Sequence, residues 1–595
     1  MALKPKAKVV LAALLAGALY GGVQVANRYG LIPQVGFMSA LVPAKAVLPD
    51  VKDAQVKNVT PAPLPLKGEA DVSSVLIRGS IWEWNSQMGL ILANGGAKTS
   101  KGSLMAARNV NLQLTRQDDT VKMQEELIAC AKEIADGAKQ CSTGANFVII
   151  MGDGAGQFAA GVNPQLEKLG EKYKLAVIAS PGYSRGEDAF MAPPEVKRDP
   201  KNAKGILVAG VLRDGDWNIA LKWAGDNGIK NNPDEKTWDP DAINWISSVD
   251  YNAAAADYVA KKCDDRKVVK DGKVTSEIKK VCINAIVTWT PGDVVAVQQR
   301  GGLVKVVSSK EYRSQMPSVI IGPRAFFEAN RTEVTNMVAA IFEGGDQVKA
   351  FDKALRKAAD LSAEVYNDQD GAYWYKYFKG VVETDREGNK VELGGSAVNN
   401  LADNLILFGL IPGSNNNFRS TYTTFANIAV QQYPAIFEDT PIPDVKEIED
   451  KSFILGAQAI MESGSVADMP TFEKASSGSV VSAKNYSINF DIGKATLTPS
   501  GVKQLLELKD SVAITGLFIK INGHTDNTGD EASNIALSKA RALAIKNFLQ
   551  AKAPENFPDS RFEVKGFGSS DPLEDNSTEA GRAANRRVQI VLLGE

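Results

Sequence analysis

The sequence predicts a multidomain α/β protein with an N-terminal transmembrane helix, a large two-lobed α/β domain and a small C-terminal α+β domain. The chain has 595 residues, enough for several separate cores. Strand-like and helical segments alternate from about residue 70 to 432, and a second compact block alternates again from about residue 483. The first of these regions is too long for one small sheet, which indicates two lobes.

The overall charge excludes one class of partner. Lys and Arg number 68 and Asp and Glu number 70, so the formal net charge is −2. A general polyanion-binding surface needs an excess of basic residues, which this chain lacks. We therefore expect no nucleic-acid partner.

The N-terminal segment predicts export from the cytoplasm. Lys4, Lys6 and Lys8 precede an uncharged run at 9–26, which Arg28 closes. Eighteen apolar or small residues are just long enough to cross a bilayer, and the preceding lysines favour a cytoplasmic N-terminus. A cleaved signal peptide remains the alternative, because "AGA" within the run is typical of a cleavage site. Both interpretations place the rest of the chain outside the cytoplasm.

Composition divides the chain into five segments. A proline-rich stretch without periodicity follows the apolar run and is typical of an extended spacer. A second stretch, rich in Pro, Ser and Gly, precedes the C-terminal block and contains one short helical pattern. The predicted segments are the anchor or signal peptide at 1–30, a linker at 31–69, the two-lobed domain at 70–432, a linker at 433–482 and the C-terminal domain at 483–595.

Six apolar runs within the large domain are typical of buried strands, and amphipathic segments lie between several of them. This order predicts largely parallel sheets. The runs are "VLIRG" (75–79), "VNLQLT" (110–115), "FVIIM" (147–151), "LAVIAS" (175–180), "GILVAGVL" (205–212) and "INAIVTW" (283–289).

The C-terminal block predicts a βαβαββ order. Its four strands and two helices are read from alternating and amphipathic patterns. They are the strand "YSINFDI" (486–492), a helix at 499–512, the strand "LFIKING" (517–523), a helix at about 531–551, and the strands "RFEVKGFG" (561–568) and "RRVQIVLL" (586–593).

Four cysteines are consistent with an oxidising compartment. Cys130 and Cys141 are eleven residues apart, and Cys263 and Cys282 are nineteen apart. Two local disulfides would suit an exported chain, although four cysteines allow three pairings and buried free thiols remain the alternative. No CxxC pair exists and the single histidine is distant, so we expect no metal site.

Two motifs in the large domain resemble catalytic or cofactor signatures. "GYSRG" (182–186) has the G-x-S-x-G pattern of a hydrolase, but the chain's only histidine, His524, lies in another domain, so no base is available. "GDGAG" (152–156) follows a buried strand and predicts either a tight turn or a loop that holds a small ligand. The acid that a dinucleotide site needs at the next strand end is missing. We expect no catalytic residue, no cofactor and no enzyme activity.

Four segments of the large domain resemble type-two periplasmic substrate-binding proteins of the nitrate, sulfonate and taurine class. The resemblance implies two α/β lobes joined by a hinge, with a small anionic or zwitterionic solute held between them. It implies cleft positions at Trp82, Ser180, Arg185, Asp216 and Thr290. The segments are "IWEWNSQMGLILANGG", "SPGYSRGEDAFMAPPEV", "TWTPGDVVAV" and "MPSVIIGPRAFFEANRTEVTNMVAAIF".

A charged pair is predicted in the C-terminal block. On a helix, Asn534, Ser538 and Arg541 share one face, which places Arg541 beside the buried stripe and near the loop that carries Asp526. An arginine there needs an anionic partner. Either Asp526 and Arg541 pair directly, or Asp526 takes the ammonium and Arg541 the carboxylate of one zwitterionic ligand.

The same block resembles the C-terminal domain of OmpA, a peptidoglycan-binding module. Four ordered motifs carry the resemblance: "INFDIGKATLTPSG", "GHTDNTGDEASNIALSKARA", "GFGSSDP" and "NRRVQI". It implies that Asp526 and Arg541 hold diaminopimelate, and His524 then has a packing role. The other implied site positions are Thr525, Asn534, Leu537 and Arg587; Gln589 departs from the glutamate common in the family.

Three functions follow from this organisation. The first is an inner-membrane-anchored periplasmic protein that grips peptidoglycan and presents the large domain as a scaffold or sensor. The second is a wall-tethered solute receptor that delivers to an ABC permease. The third is a stator-like subunit of an ion-driven membrane complex, which the absence of any carboxylate in 9–26 disfavours.

Overall fold

The computed structural model describes residues 59–461, 479–491 and 493–594. The predicted membrane segment at 9–26 lies outside these residues. Among the helices that the structure describes, none is both long and apolar enough to cross a membrane.

The first lobe is built on a six-stranded mixed sheet. Its strands at 76–81, 111–116 and 147–151 run parallel, and the strand at 317–323 pairs antiparallel to both of its neighbours. In spatial order the strands are Ser396–Val398, Leu175–Ser184, Pro317–Pro323, Phe147–Met151, Leu76–Ile81 and Asn111–Arg116.

The second lobe has its own six-stranded sheet. A small three-stranded sheet, formed by Thr237–Trp238, Cys263–Lys270 and Lys273–Cys282, also belongs to this lobe. In spatial order the main strands are Val304–Ser308, Ala189–Ala192, Ala285–Thr288, Leu207–Gly210, Ala242–Ser247 and Lys230–Asn231.

Helices cover both sheets and bury their apolar sides against them. Those of the first lobe are Asn85–Gln87, Met88–Asn94, Leu104–Ala107, Thr120–Ala135, Ala155–Leu166, Glu167–Leu169, Glu171–Tyr173, Arg324–Ala329, Arg331–Ala350, Asp352–Tyr366, Gly371–Lys379, Leu401–Leu407 and Asn417–Gln432. Those of the second lobe are Pro194–Arg198, Pro200–Ala203, Gly215–Asp226, Tyr251–Val259 and Gly292–Gln299. A hairpin, Val381–Thr384 with Lys390–Leu393, follows the helix Gly371–Lys379.

The chain passes between the lobes twice within these residues. The strand Leu175–Ser184 of the first sheet leads into Ala189–Ala192 of the second, and Val304–Ser308 leads back into Pro317–Pro323. The two-lobed architecture predicted from the sequence is therefore present, and each of the six apolar runs quoted above lies on a strand. Each contains consecutive apolar residues because both faces of these sheets are covered.

Both predicted local disulfides are formed. Cys130 on the helix Thr120–Ala135 is bonded to Cys141, and Cys263 is bonded to Cys282 across the antiparallel pair that these two residues begin and end. No described cysteine is free. The alternative of buried free thiols is wrong.

The chain after residue 432 continues to fold on the first lobe. Short helices lie at Pro434–Asp439, Val445–Ile448 and Ser452–Ile460. The last of them packs on the helix Arg331–Ala350 and buries Phe453. The sequence led us to expect a linker here, because the Pro and Ser content outweighed the short apolar pattern that anchors this helix.

The C-terminal domain has a four-stranded sheet with helices on one side. In spatial order its strands are Ser479–Tyr486, Val588–Gly594, Phe518–Gly523 and Phe562–Gly566, and its helices are Pro499–Ala513, Glu531–Lys552, Asp559–Arg561 and Glu579–Asn585. Two predictions were wrong. The first strand ends at Tyr486 instead of continuing through "SINFDI", and the helix Glu579–Asn585 was not predicted, because its seven residues are too few for a periodic pattern.

The C-terminal domain contacts the two-lobed region directly. The helix Pro499–Ala513 lies against Asn417–Gln432. The backbone N–H of Ser314 donates to the carbonyl of Ile514 at 2.9 Å, and that of Gly516 donates to Glu311 at 3.1 Å. The described domains are thus packed together and not merely joined by a linker.

A buried arginine ties the C-terminal domain together. The Arg561 guanidinium is fully buried and donates to the carbonyl oxygens of Leu517 (2.9 Å), Asn556 (2.7 Å), Val512 (3.1 Å) and Thr515 (2.5 Å). Burial lowers its pKa to about 9. These bonds connect the end of the helix Pro499–Ala513 to the start of the second and third strands.

Replacing this arginine should destabilise the domain selectively. Arg561→Met removes the donor of four carbonyls, three of them in buried residues, and we expect a loss of about 3 kcal/mol or more because each unsatisfied buried group costs about 1–3 kcal/mol. All eight tryptophans precede residue 375, so tryptophan fluorescence would not report on this domain. Hydrogen exchange of the amides in Phe518–Gly523 measures the change.

The matched control is Arg582→Met, because Arg582 makes a partly exposed ion pair with Glu579. Such pairs contribute about 1 kcal/mol or less, so exchange in the same strand should stay close to wild type. Equal protection in Arg561→Met and Arg582→Met would contradict the structural role assigned to Arg561.

Candidate functional site

A short loop positions Asp526 at the end of the central strand Phe518–Gly523. The Asp526 side chain accepts the N–H of Thr528 at 3.0 Å, and the Asn534 amide donates to the carbonyl of Thr528 at 3.1 Å. Asp530 then caps the helix Glu531–Lys552 by accepting the N–H of Ser533 at 2.9 Å. The predicted site position Asn534 thus fixes the loop instead of facing outward.

Asp526 pairs with Arg586. Its Oδ2 atom lies 2.6 Å from Nη1 of Arg586. The other terminal nitrogen of Arg586, Nη2, lies 2.9 Å from Glu579. Burial alone would raise the pKa of Asp526, but hydrogen bonds from Arg586 and Thr528 outweigh burial and hold that pKa below 3.8. The carboxylate is therefore charged, and the direct Asp526–Arg541 pair considered above does not form.

Arg541 lies nearby with its charge largely uncompensated. Its Nε atom donates to the carbonyl of Lys494 at 3.0 Å, and its guanidinium lies 5.2 Å from the centre of the Phe490 ring. Burial, followed by the positive charge of Arg586, lowers the pKa of Arg541, while Asp526 acts in the opposite direction. Within the described residues, no carboxylate lies within ion-pairing distance of this guanidinium.

The remaining predicted positions occupy different surroundings. Thr525 is buried, its N–H donates to Gly568 at 2.8 Å, and its hydroxyl has no partner among the described residues. Leu537 is half-buried on the helix. Arg587 is buried away from Asp526, where it contacts the carbonyl of Asp571 at 3.2 Å.

Arg586 is the residue that sequence reasoning missed. The motif contains two adjacent arginines. Which of them is buried and which pairs with Asp526 depends on where the strand begins, at Val588. Arg587 precedes that strand directly and is buried, whereas Arg586 ends the short helix that the sequence did not reveal.

His524 is a packing residue. Its ring stacks on Phe567 with centroids 5.2 Å apart and planes 8° apart, and its side chain is 1% exposed. Burial and the neighbouring Arg587 lower its pKa to about 3, so the imidazole is neutral. Neither ring nitrogen has a hydrogen-bond partner among the described residues.

The geometry combines one carboxylate with two guanidinium groups at the end of a strand. A carboxylate can meet Arg541, and a zwitterion can in addition place its ammonium against Asp526. In the described part of the chain, no group of three or more His, Cys, Asp or Glu side chains is arranged to hold a metal ion.

Three of the predicted cleft residues lie around the junction of the lobes. Trp82 follows the strand Leu76–Ile81 and stacks on Trp289 of the second lobe, with centroids 5.5 Å apart. Asp216 lies in the first turn of the helix Gly215–Asp226 and is fully buried. Thr290 is also buried and donates to Asp293 at 2.8 Å.

The other two predicted cleft residues have structural partners. The hydroxyl of Ser180 donates to the carbonyl of Gly182 at 3.1 Å and accepts from Asn399 at 2.8 Å, so it braces the first sheet. Arg185 lies where the chain passes between the lobes, donates to the carbonyl of Arg313 at 2.5 Å, and covers the Tyr183 ring.

Comparison with known proteins places the C-terminal domain in a family. Residues 489–586 match the OmpA family. Over 107 residues, 18% of this chain, the sequence is 39% identical to the outer membrane protein A of Bordetella avium and covers 53% of that protein. Over 106 residues it is 38% identical to the peptidoglycan-binding protein ArfA of Mycobacterium bovis and covers 32% of it.

Among solved structures, the periplasmic nitrate-binding protein NrtA from Synechocystis PCC 6803 aligns with 66% of this chain and 90% of its own. The sequence identity is 11% and the TM-score is 0.45. The chain spans about half or less of the length of the two curated relatives described above. Residues 489–586 of this multidomain α/β chain form a domain of the OmpA family.

Proposed function

We propose that this protein is a cell-envelope component that binds peptidoglycan through its C-terminal domain and presents the two-lobed domain as a sensor or scaffold. The observation that carries the proposal is the pair of opposite charges, Asp526 and Arg541, in an OmpA-family domain. The name of the relative ArfA, a peptidoglycan-binding protein, supports it. The role is one of binding and not of catalysis.

The proposed ligand is diaminopimelate in a peptidoglycan stem peptide. This amino acid carries an ammonium and a carboxylate on one free carbon centre. Asp526 takes the ammonium, and Arg541 grips the carboxylate with the Nη atoms that have no partner among the described residues. Each charge-assisted contact contributes about 1.5–3 kcal/mol when shielded from water.

Arg586 supports the site in this proposal. Its bond to Asp526 keeps the carboxylate charged and oriented before the ligand arrives. Because Glu579 holds the other side of the Arg586 guanidinium, Asp526 need not move on binding. Binding then orders few additional side chains.

The segment at 9–26 would anchor the chain in the inner membrane, with the described domains in the periplasm. Tethering at both ends then fixes the two-lobed domain between membrane and wall. The two-lobed domain could act in this position as a receptor that delivers a solute to an ABC permease. The polar junction between the lobes favours this form of the proposal.

Sedimentation with purified sacculi tests the wall-binding site. For the full-length chain, Asp526→Asn and Arg541→Ala should each weaken the affinity for sacculi by about 10-fold or more, because each removes a charge-assisted contact. The fraction that cosediments is measured as the sacculus concentration is varied.

Matched controls come from the same domain. Glu507→Gln and Lys503→Ala change exposed charges on the helix Pro499–Ala513. Both should bind as wild type does. Wild-type binding by Asp526→Asn and Arg541→Ala together would refute the zwitterion site.

The pH dependence follows from the charged groups of the site. The pKa of Asp526 is below 3.8 and that of His524 is about 3, so neither changes charge between neutral pH and about pH 5. Because a depressed acid pKa keeps the carboxylate charged until the pH falls through it, sacculus binding should be constant over this range and fall only in more strongly acidic solution, where Asp526 takes up a proton. Sedimentation at constant ionic strength measures it, and a steep loss between about pH 7 and 5 would instead implicate histidine.

A further inference from the structure

The junction of the two lobes brings together the carboxyl ends of parallel strands. In the first lobe, Asp153 follows the strand Phe147–Met151, and in the second lobe Asp214 and Asp216 follow Leu207–Gly210. The lobes touch here, since the Thr120 hydroxyl of the first lobe donates to Asp214 at 3.1 Å. Open α/β sheets bind ligands at these strand ends.

Four buried carboxyl groups meet at this junction, and we call them the acidic cluster: Asp153, Asp188, Asp214 and Asp216. All are buried, and each influences the ionisation of at least one other member. No Lys, Arg or His nitrogen of the described residues lies within 4 Å of their carboxyl oxygens.

The nearest positive charge is already engaged. Lys305 lies 3.0 Å from Asp293 and donates to the carbonyl of Gly186 at 2.5 Å. Burial raises the pKa of Asp153 to about 7 and that of Asp188 to about 6, and raises the pKa of Asp216 well above 3.8. Because these pKa values are raised, part of the acidic cluster is protonated at neutral pH, and a cation that enters it would favour the ionised carboxylates.

Several polar groups in and around the acidic cluster have no hydrogen bond of good geometry in the described part of the chain. The carboxyl oxygens of Asp188 and Asp216, the indole N–H of Trp84 and the hydroxyl of Tyr251 make no hydrogen bond of good geometry there, although Asp188 and Asp216 lie close to each other. All four residues are at least 97% buried. The Trp84 indole lies beside Asp188, and the Tyr251 hydroxyl lies beside Asp214, so these groups point into the cluster.

Aromatic rings from both lobes enclose the same place. Tyr251 and Trp289 have ring centroids 3.7 Å apart, and Trp82 lies 5.5 Å from Trp289 and 6.2 Å from Trp84. Ring faces attract cations, and quaternary ammonium groups are commonly held by such rings. Carboxylates together with indole rings favour an organic cation and disfavour an anion, which the acidic cluster would repel.

A pocket lies between residues of the two lobes, several of which are close in sequence to Tyr251 and Trp289. It has a volume of about 420 Å³ and is lined by Asn252, Pro291 and Val295 of the second lobe and by Asp368 of the first. Asn252 donates to the Glu83 carboxyl at 3.3 Å and directly follows Tyr251. The pocket is thus lined in part by residues near Tyr251 and Trp289 in the chain, with the acidic side chain of Asp368 at its wall.

We propose that the two-lobed domain binds a small organic cation, an amine or quaternary ammonium compound, between its lobes. Asp188 and Asp216 balance its positive charge, and Trp82, Trp84 and Trp289 surround its apolar part. This replaces the anionic solute expected from the sequence. It rests on the receptor part of the proposed function and does not depend on wall binding.

Titration calorimetry and thermal unfolding of the full-length chain test this proposal. The probes are choline, putrescine and agmatine, compared with taurine, glutamate, nitrate and magnesium chloride at equal ionic strength. At least one organic cation should bind saturably and raise the unfolding temperature, whereas the other solutes should not. Binding of taurine, glutamate, nitrate or magnesium in place of the cations, or binding of no probe, would overturn the proposal.

Asp216→Asn should weaken binding of the cation about 10-fold or more, because it removes one of the two opposing charges. The variant without ligand should unfold at or above the wild-type temperature, since an amide replaces a buried acid whose ionised form is disfavoured by burial and by Asp188. Asp352→Asn, at an exposed ion pair with Arg356, is the control and should bind as wild type does. A folded Asp216→Asn variant with wild-type affinity would refute the site.

The two binding activities are separable. Asp526→Asn should keep cation affinity, and Asp216→Asn should still sediment with sacculi. If no organic cation binds but the chain still sediments with sacculi, the cation proposal is wrong and the wall-binding proposal is unaffected.

Discussion

A charged side chain that is taken out of water needs compensating charge or hydrogen bonds, and this requirement organises the whole chain. Arg561 meets it with four carbonyl oxygens. Lys222 meets it with Asp226 at 2.8 Å, in a pair that is almost fully buried. Arg541 has one hydrogen bond, to the Lys494 carbonyl, and no acidic partner among the described residues, and Asp216 has no well-formed hydrogen bond there; the proposed ligands would supply the missing charge at each.

The two sites have opposite character. Arg541 is half-buried at the surface of a small domain, so a polymer such as the cell wall can reach it. Asp216 is sealed at the junction of two lobes, which suits a small molecule that the lobes enclose. The helix Gly215–Asp226 touches both regions, because its first turn carries Asp216 and its Lys222 donates to Ser511 of the C-terminal domain at 3.0 Å. One rigid element therefore connects the solute junction to the domain proposed to hold the wall.

The sequence predicted most of the fold and only part of each site. Long apolar runs such as Phe147–Met151 identify buried strands, since periodicity and length are local properties of the chain. The helix Ser452–Ile460 was assigned to a linker because its stability comes from packing on another element. Asp526 and Arg541 were predicted from helix periodicity and from the resemblance to the OmpA domain, but the position of Arg586 depends on where a short helix ends. The acidic cluster could not be predicted, because Asp153 and Asp188 approach Asp216 only through the crossing of two sheets.

The central claim is that Asp526 and Arg541 recognise an ammonium and a carboxylate on one carbon. Titration of the full-length chain with two soluble stem tripeptides tests this directly. One ends in meso-diaminopimelate and the other in lysine, which differs by lacking the side-chain carboxylate. The account predicts saturable binding of the diaminopimelate peptide and affinity lower by about 10-fold or more for the lysine peptide, the loss of one charge-assisted contact. Equal affinity for the two peptides would contradict it.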